Sequence, residues 1–294
     1  MKKIFILVLS LVLAASLLVG CAPKEEDKVD TKDFDTSKDI VVVTREEGSG
    51  TRGAFVELTG IEEKDSSGNK TDRTTKEAIT QMKTDTILTT VAGNEYAIGY
   101  VSTGSLNDTV KALNIDGIAA TTENIKNGSY KIARPFNIAT KGEVSAVAQD
   151  FMDFIMSKEG QEVVAKSYIA IDDNASPYSG SKPSGKIVVA GSSSVTPVME
   201  KLREAYLAIN TEAVIEVQQS DSSAGMQAAI DGTADIGMAS RALKDSEKTE
   251  LKDIAIALDG IAVITHIGNS INDLTIENVK SIFVGDMIKW SDIK

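Results

Sequence analysis

In 294 residues the chain has one cysteine, Cys21, and one histidine, His266. A single thiol closes no disulfide within the chain, so the fold cannot rely on covalent staples. Without a cluster of Cys and His, structural zinc is excluded as well. Basic residues are in the minority: 31 Lys and Arg stand against 43 Asp and Glu, a net charge of −12. That balance argues against nucleic acid as a partner, and any small anion must be held by local donors against an unfavourable overall field. No nucleophile-elbow motif is present, which leaves a serine or cysteine hydrolase poorly supported. His266 lies in the apolar run Ile261–Ile267 and reads as a buried, hydrogen-bonded structural residue rather than a catalytic base.

The one long apolar run is Ile4–Leu18, which follows the basic Met1-Lys2-Lys3. It is short for a membrane span and has the layout of a signal peptide over residues 1–20. Leu18-Val19-Gly20-Cys21 resembles the lipobox of bacterial lipoproteins. The resemblance implies cleavage before Cys21 and lipidation of that residue; the alternative is a secreted protein with Cys21 merely near the cleavage site. Residues 21–38 are polar and charged and read as a flexible tether. Removing Lys2 and Lys3 leaves 29 basic residues against 43 acidic ones, a mature charge of −14.

Residues 39–294 suffice for two modest domains. Strand-like runs at Ile40–Val43, Ala97–Val101, Phe136–Ala139, Lys186–Ala190, Ala213–Gln218 and Ile261–Thr265 alternate with helix-like ones, which predicts α/β layers. Val144–Met156 is amphipathic, with Phe151, Phe154 and Ile155 on its apolar side. Val198–Ile209 follows Pro197, a residue suited to a first helical position. Asn174–Gly185, rich in Ser, Gly and Pro, reads as a linker loop.

The stretch with the most chemistry is Arg45-Glu46-Glu47-Gly48-Ser49-Gly50-Thr51-Arg52, set between a strand and a helix. Its glycines allow a tight turn and its hydroxyls can cap the helix. A helix N-terminus has unpartnered N–H groups and the positive end of the dipole, so the turn is a ready anion site. Arg45 adds a planar, permanently charged fork suited to a tetrahedral oxyanion. The Lys of a nucleotide-binding P-loop is missing. Taken alone, the stretch reads as an ordinary Gly-rich turn with a helix cap. The theme recurs, however, at Gly191-Ser-Ser-Ser-Val-Thr-Pro197, at Ser220–Ala224 and, more weakly, at Ile236–Arg241. Several such turns without a catalytic base point to one converging oxyanion site.

These segments, with Ala97–Val101, Ala257–Val263, Ile282–Asp286 and Trp290, resemble the phosphate-binding proteins of bacterial phosphate ABC importers. The resemblance implies a two-domain α/β fold of the periplasmic-binding-protein type (type II), with two crossing hinge strands and phosphate between the domains. It implies Arg45, Ser49, Gly50 and Thr51 as phosphate ligands from one domain. Ser194, Val195 (backbone only), Ser222 and Ser240 are the implied ligands from the other. It implies no cofactor, no metal and no catalysis. The implied partners are inorganic phosphate, the permease subunits of an ABC importer and the membrane through the lipid anchor, the receptor itself being a monomer. The family's Arg-x-x-Gly-Ser-Gly-Thr motif usually falls in mid-chain, whereas here it comes first. The order therefore reads as a circular permutation, with the old ends joined through Asn174–Gly185. One domain becomes residues 39–134 plus 262–294, the other 135–261.

Alternatives are a receptor for sulfate or molybdate and, from another class, a phosphate-ester hydrolase. Selectivity turns on a proton: dibasic phosphate retains one and sulfate does not, so a buried carboxylate in the site accepts from the first and repels the second. Some family members place Asp where this chain has Ser240. Asp259 is then the foremost candidate acceptor, unless Asp259-Gly260 is a turn pair. Asp221 is second, and Glu46 and Glu47 read as solvated.

Overall fold

The computed structural model describes residues 34–293. The expected signal segment and Cys21 lie outside the described residues. No helix among these is long and apolar enough to cross a membrane.

The principal strands are β1 (Val41–Arg45), β2 (Ile79–Gln81), β3 (Ala97–Ser102), β4 (Val110–Ala112), β5 (Ala133–Thr140), β6 (Gly185–Ser192), β7 (Ala213–Ser220), β8 (Ile236–Ala239) and β9 (Lys252–His266). The principal helices are α1 (Gly50–Leu58), α2 (Thr84–Ala92), α3 (Ala146–Met156), α4 (Lys158–Val164), α5 (Thr196–Leu207), α6 (Ser222–Asp231) and α7 (Ile276–Val284). The nine strands form one mixed sheet in the order β7-β6-β8-β5-β9-β3-β1-β2, with β4 on β9.

The sheet has two halves that share β9. Residues Lys252–Gly260 of β9 pair antiparallel with β5, and Ile261–Thr265 pair with β3. A second crossing runs beside the first, where the Ile261 N–H donates to the Ile132 carbonyl (2.7 Å). The halves are therefore joined at two neighbouring points, as the family resemblance implies. In the second half β6 pairs parallel with both β7 and β8. Parallel neighbours require crossover connections, and α5 and α6 supply them.

Each half has its own apolar cluster. In the first, Ile87, Leu88 and Val91 place one face of α2 against Val43, Ala97, Val101, Ala262 and Ile264. In the second, Val147, Phe151 and Phe154 of α3 and Val198, Leu202 and Tyr206 of α5 meet Ile187, Val189, Ile236 and Met238. All three helices bury positions three or four apart, the period that puts them on one side. Each such buried side chain contributes about 1.5–3 kcal/mol.

The expected strands are present, longer by one to ten residues. β9 shows the largest extension, because its start, Lys252–Ile254, is exposed and gives no apolar run. β5 begins before Phe136 through Arg134 and Pro135, a pair that reads as a strand breaker. Residues 174–184 have no regular structure. They are held by Asp150, whose carboxylate accepts from the Tyr178 and Tyr206 hydroxyls and the Ser181 N–H. Desolvation in this cluster pushes the Tyr206 hydroxyl up to about 12.

Candidate functional site

The Arg45 turn is positioned from beneath by aromatics. Phe55 of α1 stacks on Tyr100 of β3 at a centroid distance of 4.0 Å, and Phe283 of α7 closes the edge. The buried Tyr100 hydroxyl bonds to Thr44 Oγ (2.8 Å) and accepts the Arg45 N–H (3.2 Å). Burial pushes that hydroxyl up to about 12. It stays neutral and holds the end of β1 in place. Ser49 caps α1, its Oγ accepting the Arg52 N–H (3.3 Å).

Four helix N-termini converge here: Ser49-Gly50-Thr51 opens α1, Thr84 opens α2, Ser194-Val195 precedes α5 and Ser222 opens α6. Thr51 Oγ lies 2.9 Å from Ser194 Oγ and 3.2 Å from Ser240 Oγ. Ser192 Oγ donates to Ser240 Oγ (3.0 Å), and the Ser240 N–H donates to Ser222 Oγ (3.1 Å). A Cβ on Gly50 would overlap Ser222 Oγ and come within 2.9 Å of Ser240 Oγ. The first turn of α1 therefore requires glycine to meet the other half. Thr51, Ser192, Ser193, Ser194, Ser222 and Ser240 are all buried.

Arg45 is buried at the edge of this cluster. Its Nη2 donates to Ser193 Oγ (3.0 Å) and its Nη1 to Thr84 Oγ (3.3 Å). Its other donors meet Glu46 side on, Nε to Oε2 (2.8 Å) and Nη2 to Oε1 (2.7 Å). This corrects the reading of Glu46 as solvated. It is 7% exposed, because the fork of Arg45 turns it inward, whereas Glu47 is exposed as expected.

A second guanidinium stands opposite. Arg134 of β5 pairs with Asp259 of β9, and both are buried. Its Nη1 also donates to the Gly260 carbonyl (3.0 Å), its Nε to the Ser240 carbonyl (3.3 Å) and its Nη2 to Thr51 Oγ (3.2 Å). Burial lowers the pKa of this guanidinium and Asp259 counters the shift. The other oxygen of Asp259 accepts from Thr103 Oγ (2.8 Å) and the Gly104 N–H (3.4 Å). Asp259 thus reaches the cluster through Arg134, not directly. Asp221 caps α6 by accepting the Ala224 N–H (2.8 Å), and a Cβ on Gly48 would overlap its carboxylate.

Arg45, Thr51, Ser194, Ser222 and Ser240, named from the sequence, come together. Val195 is adjacent, but its N–H closes the turn on the Ser192 carbonyl (3.0 Å). Sequence reasoning missed Thr84, Ser192, Ser193 and Arg134. The two serines belong to the run Gly191–Ser194 and were within reach of the same reading. Thr84 and Arg134 stand in no Ser- or Gly-rich turn and had no local signal. His266 is engaged elsewhere, its Nδ1 accepting the Gly268 N–H (3.0 Å). No three His, Cys, Asp or Glu side chains among the described residues converge as metal ligands. The site is a nest of hydroxyl and guanidinium donors at four dipole ends, suited to a tetrahedral oxyanion.

Comparison with known proteins identifies relatives of the chain. Residues 28–159 and 176–294 match the model of the PBP superfamily domain. The phosphate-binding protein PstS 2 of Streptococcus agalactiae is 50% identical over 295 residues, covering 99% of this chain and 98% of its own. The protein of the same name from Streptococcus pneumoniae is 45% identical over 256 residues, covering 87% of this chain and 88% of its own. The crystal structure of a phosphate-binding protein of a phosphate ABC transporter from Streptococcus pneumoniae superposes with a TM-score of 0.70 at 45% identity. That match covers 87% of this chain and 100% of the solved one.

Proposed function

The chain belongs to the PBP superfamily, among its phosphate-binding solute receptors, and from that premise we propose that it captures inorganic phosphate between the two halves of its sheet and delivers it to an ABC importer. The observation that carries this reading is the buried meeting of Arg45 and Thr51 with Ser193, Ser194 and Ser240 of the other half. Arg45, Ser49, Gly50 and Thr51 are the proposed ligands from the first half. Ser194, Val195, Ser222 and Ser240 are those from the second. Titration calorimetry with phosphate, sulfate, molybdate and arsenate tests the reading. Saturable phosphate binding is expected, weakened at least about tenfold in Arg45→Ala, since a hydrogen bond to a charged group contributes about 1.5–3 kcal/mol. An unchanged dissociation constant in folded Arg45→Ala removes this arginine from the site. Phosphate esters should bind without turnover; measurable hydrolysis would replace the receptor by an enzyme.

One observation favours a sulfate or molybdate receptor as the second reading: the carboxylate of Asp259 is taken up by Arg134, Thr103 and Gly104. A site of donors alone suits a fully ionised oxyanion. Tighter binding of sulfate than of phosphate would decide for it.

The receptor works on the extracytoplasmic face as a lipid-anchored monomer, with Cys21 acylated. A short anchor raises its effective concentration at the importer's permease subunits. Cys21→Ala should release the protein or block its processing. Residues 39–134 with 262–294, and 135–261, are the two bodies that close on the ligand; the division of β9 between β5 and β3 supports a hinge at Gly260–Ile261. The permuted order is supported by the meeting of the two ends of the described chain, where Asp39 bridges Lys289. A chain recut at residues 174–184 and joined through those ends should retain its phosphate affinity.

A further inference from the structure

Most hydroxyls of the cluster receive an N–H on one lone pair. Ser193 Oγ accepts from Arg45 Nη2 (3.0 Å), Ser192 Oγ from the Ser194 N–H (3.3 Å) and Ser222 Oγ from the Ser240 N–H (3.1 Å). Thr51 Oγ receives its N–H from Arg134 Nη2 (3.2 Å). A hydroxyl carries one hydrogen, so an oxygen that already accepts from N–H is free to donate that hydrogen onward. Thr51 is within reach of Ser194 and Ser240, at the centre of the nest.

We propose that Arg134 is a positioning residue of the anion site: held by Asp259, it fixes the Thr51 hydroxyl as a donor toward the bound anion, and only when the two halves are closed. The proposal rests on the oxyanion-capture reading above. Arg134 is locked in place, because Nη1 serves Asp259 and the Gly260 carbonyl while Nε serves the Ser240 carbonyl. Nη2 is thereby aimed at Thr51 alone among its named partners.

The pair also spans the crossing of the sheet. Arg134 and Asp259 face each other across the β5–β9 register. Thr51, on α1, and Thr103 and Gly104, after β3, belong to the first half. Within the bounds proposed above Arg134 belongs with Thr51 and Asp259 with Ser240, so parting the halves takes from Arg134 the Asp259 carboxylate and the Ser240 carbonyl that hold it, and the donor setting is lost. A guanidinium paired with a carboxylate adds no net charge to the site. Its contribution is direction, and it reaches the anion through Thr51.

A double-mutant cycle tests this. Phosphate and sulfate are titrated calorimetrically into the wild type, Arg134→Met, Thr51→Val and the double variant, each first checked for folding by thermal melting. Each single change should lower affinity for the bound anion by about tenfold or more, the worth of a charge-assisted hydrogen bond. The double variant should lie within about threefold of the weaker single one, because the two act as one unit. Removing one partner of a buried pair strands the other's charge. If Arg134→Met fails to fold for that reason, Arg134→Lys takes its place, keeping the charge opposite Asp259 without the fork. Losses that multiply in the double variant, or a folded Arg134 variant with wild-type affinity, overturn the proposal and leave the receptor reading intact. A wild type that binds neither anion overturns both.

Discussion

Two buried ion pairs flank the hydroxyl cluster, and they are assembled in opposite ways. Arg45 and Glu46 are neighbours in sequence; Arg134 and Asp259 are 125 residues apart and meet only through the register of β5 on β9. Their side-chain exposures also differ, 3% and 8% for the first pair against 3% and 0% for the second. The local pair lies within one turn, so Arg45 and Glu46 stay neighbours in any arrangement of the halves. The distant pair is a product of the whole fold and sits at its crossing. A charge left alone there has no route to water, whereas Glu46 is next to an exposed residue. The same chemistry thus serves within a single turn in one place and as a joint between distant strands in the other.

The largest effect should come from breaking the joint. Asp259→Ala is expected to cost about 3–5 kcal/mol in urea unfolding, the range for removing one partner of a buried pair. Glu46→Ala should cost clearly less, because the local pair adjoins the exposed Glu47 and the charge left behind is nearer water. Equal losses would erase the distinction between the pairs. Next is Gly50→Ala, whose added methyl meets Ser222 and Ser240. It should leave the fold intact yet lower phosphate affinity by about tenfold or more, since overpacking costs about 1–3 kcal/mol.

The third prediction concerns alkali. The folded pKa of Tyr100 is raised to about 12, above the usual value near 10. The unfolded chain loses its proton first, so this contribution is complete below pH 10 and is lost as pH climbs through about 12, at roughly 1.4 kcal/mol per unit. Tyr100→Phe should flatten that decline while costing about 1 kcal/mol at neutral pH for the bonds to Thr44 and Arg45. A decline as steep in the variant would show that other groups cause it. The smallest effect is expected at the exposed neighbour of the local pair: Glu47→Gln should change stability by less than about 0.5 kcal/mol and phosphate affinity not at all. A measurable change would mean that Glu47 also contacts Arg45.

The local pair and the long-range pair also mark what could be read in the sequence. The Arg45 turn was legible because its glycines, hydroxyls and flanking β-branched run sit within one window. The serine turns were legible as turns for the same reason, and the family resemblance then named Ser194, Ser222 and Ser240 among the implied ligands. Glu46 was misread because a charge in a Gly-rich turn looks solvated until the direction of the neighbouring guanidinium is known. Arg134 and the start of β5 were hidden by Pro135, and the first half of β9 by Lys252 and Asp253. Asp259 was named as the acceptor of the phosphate proton, but its carboxylate meets Arg134, Thr103 and Gly104, which two separate stretches of chain bring to it.

The seam at the ends of the described chain has a mechanical consequence. Residues Thr36–Ile40 are stitched to the final segment by the Ile40 N–H to the Ile288 carbonyl (2.7 Å), the Ser291 N–H to the Thr36 carbonyl (2.7 Å) and Lys289 Nζ to Asp39 (2.9 Å). Trp290 is buried beside them, its indole N–H donating to the Tyr96 carbonyl (3.2 Å). Any tension arriving along the chain at residue 35 is therefore spread over several bonds in shear and delivered to the half that carries Arg45. With the proposed anchor at Cys21, that half would be the moored one, and the half that carries the serines the one left to swing.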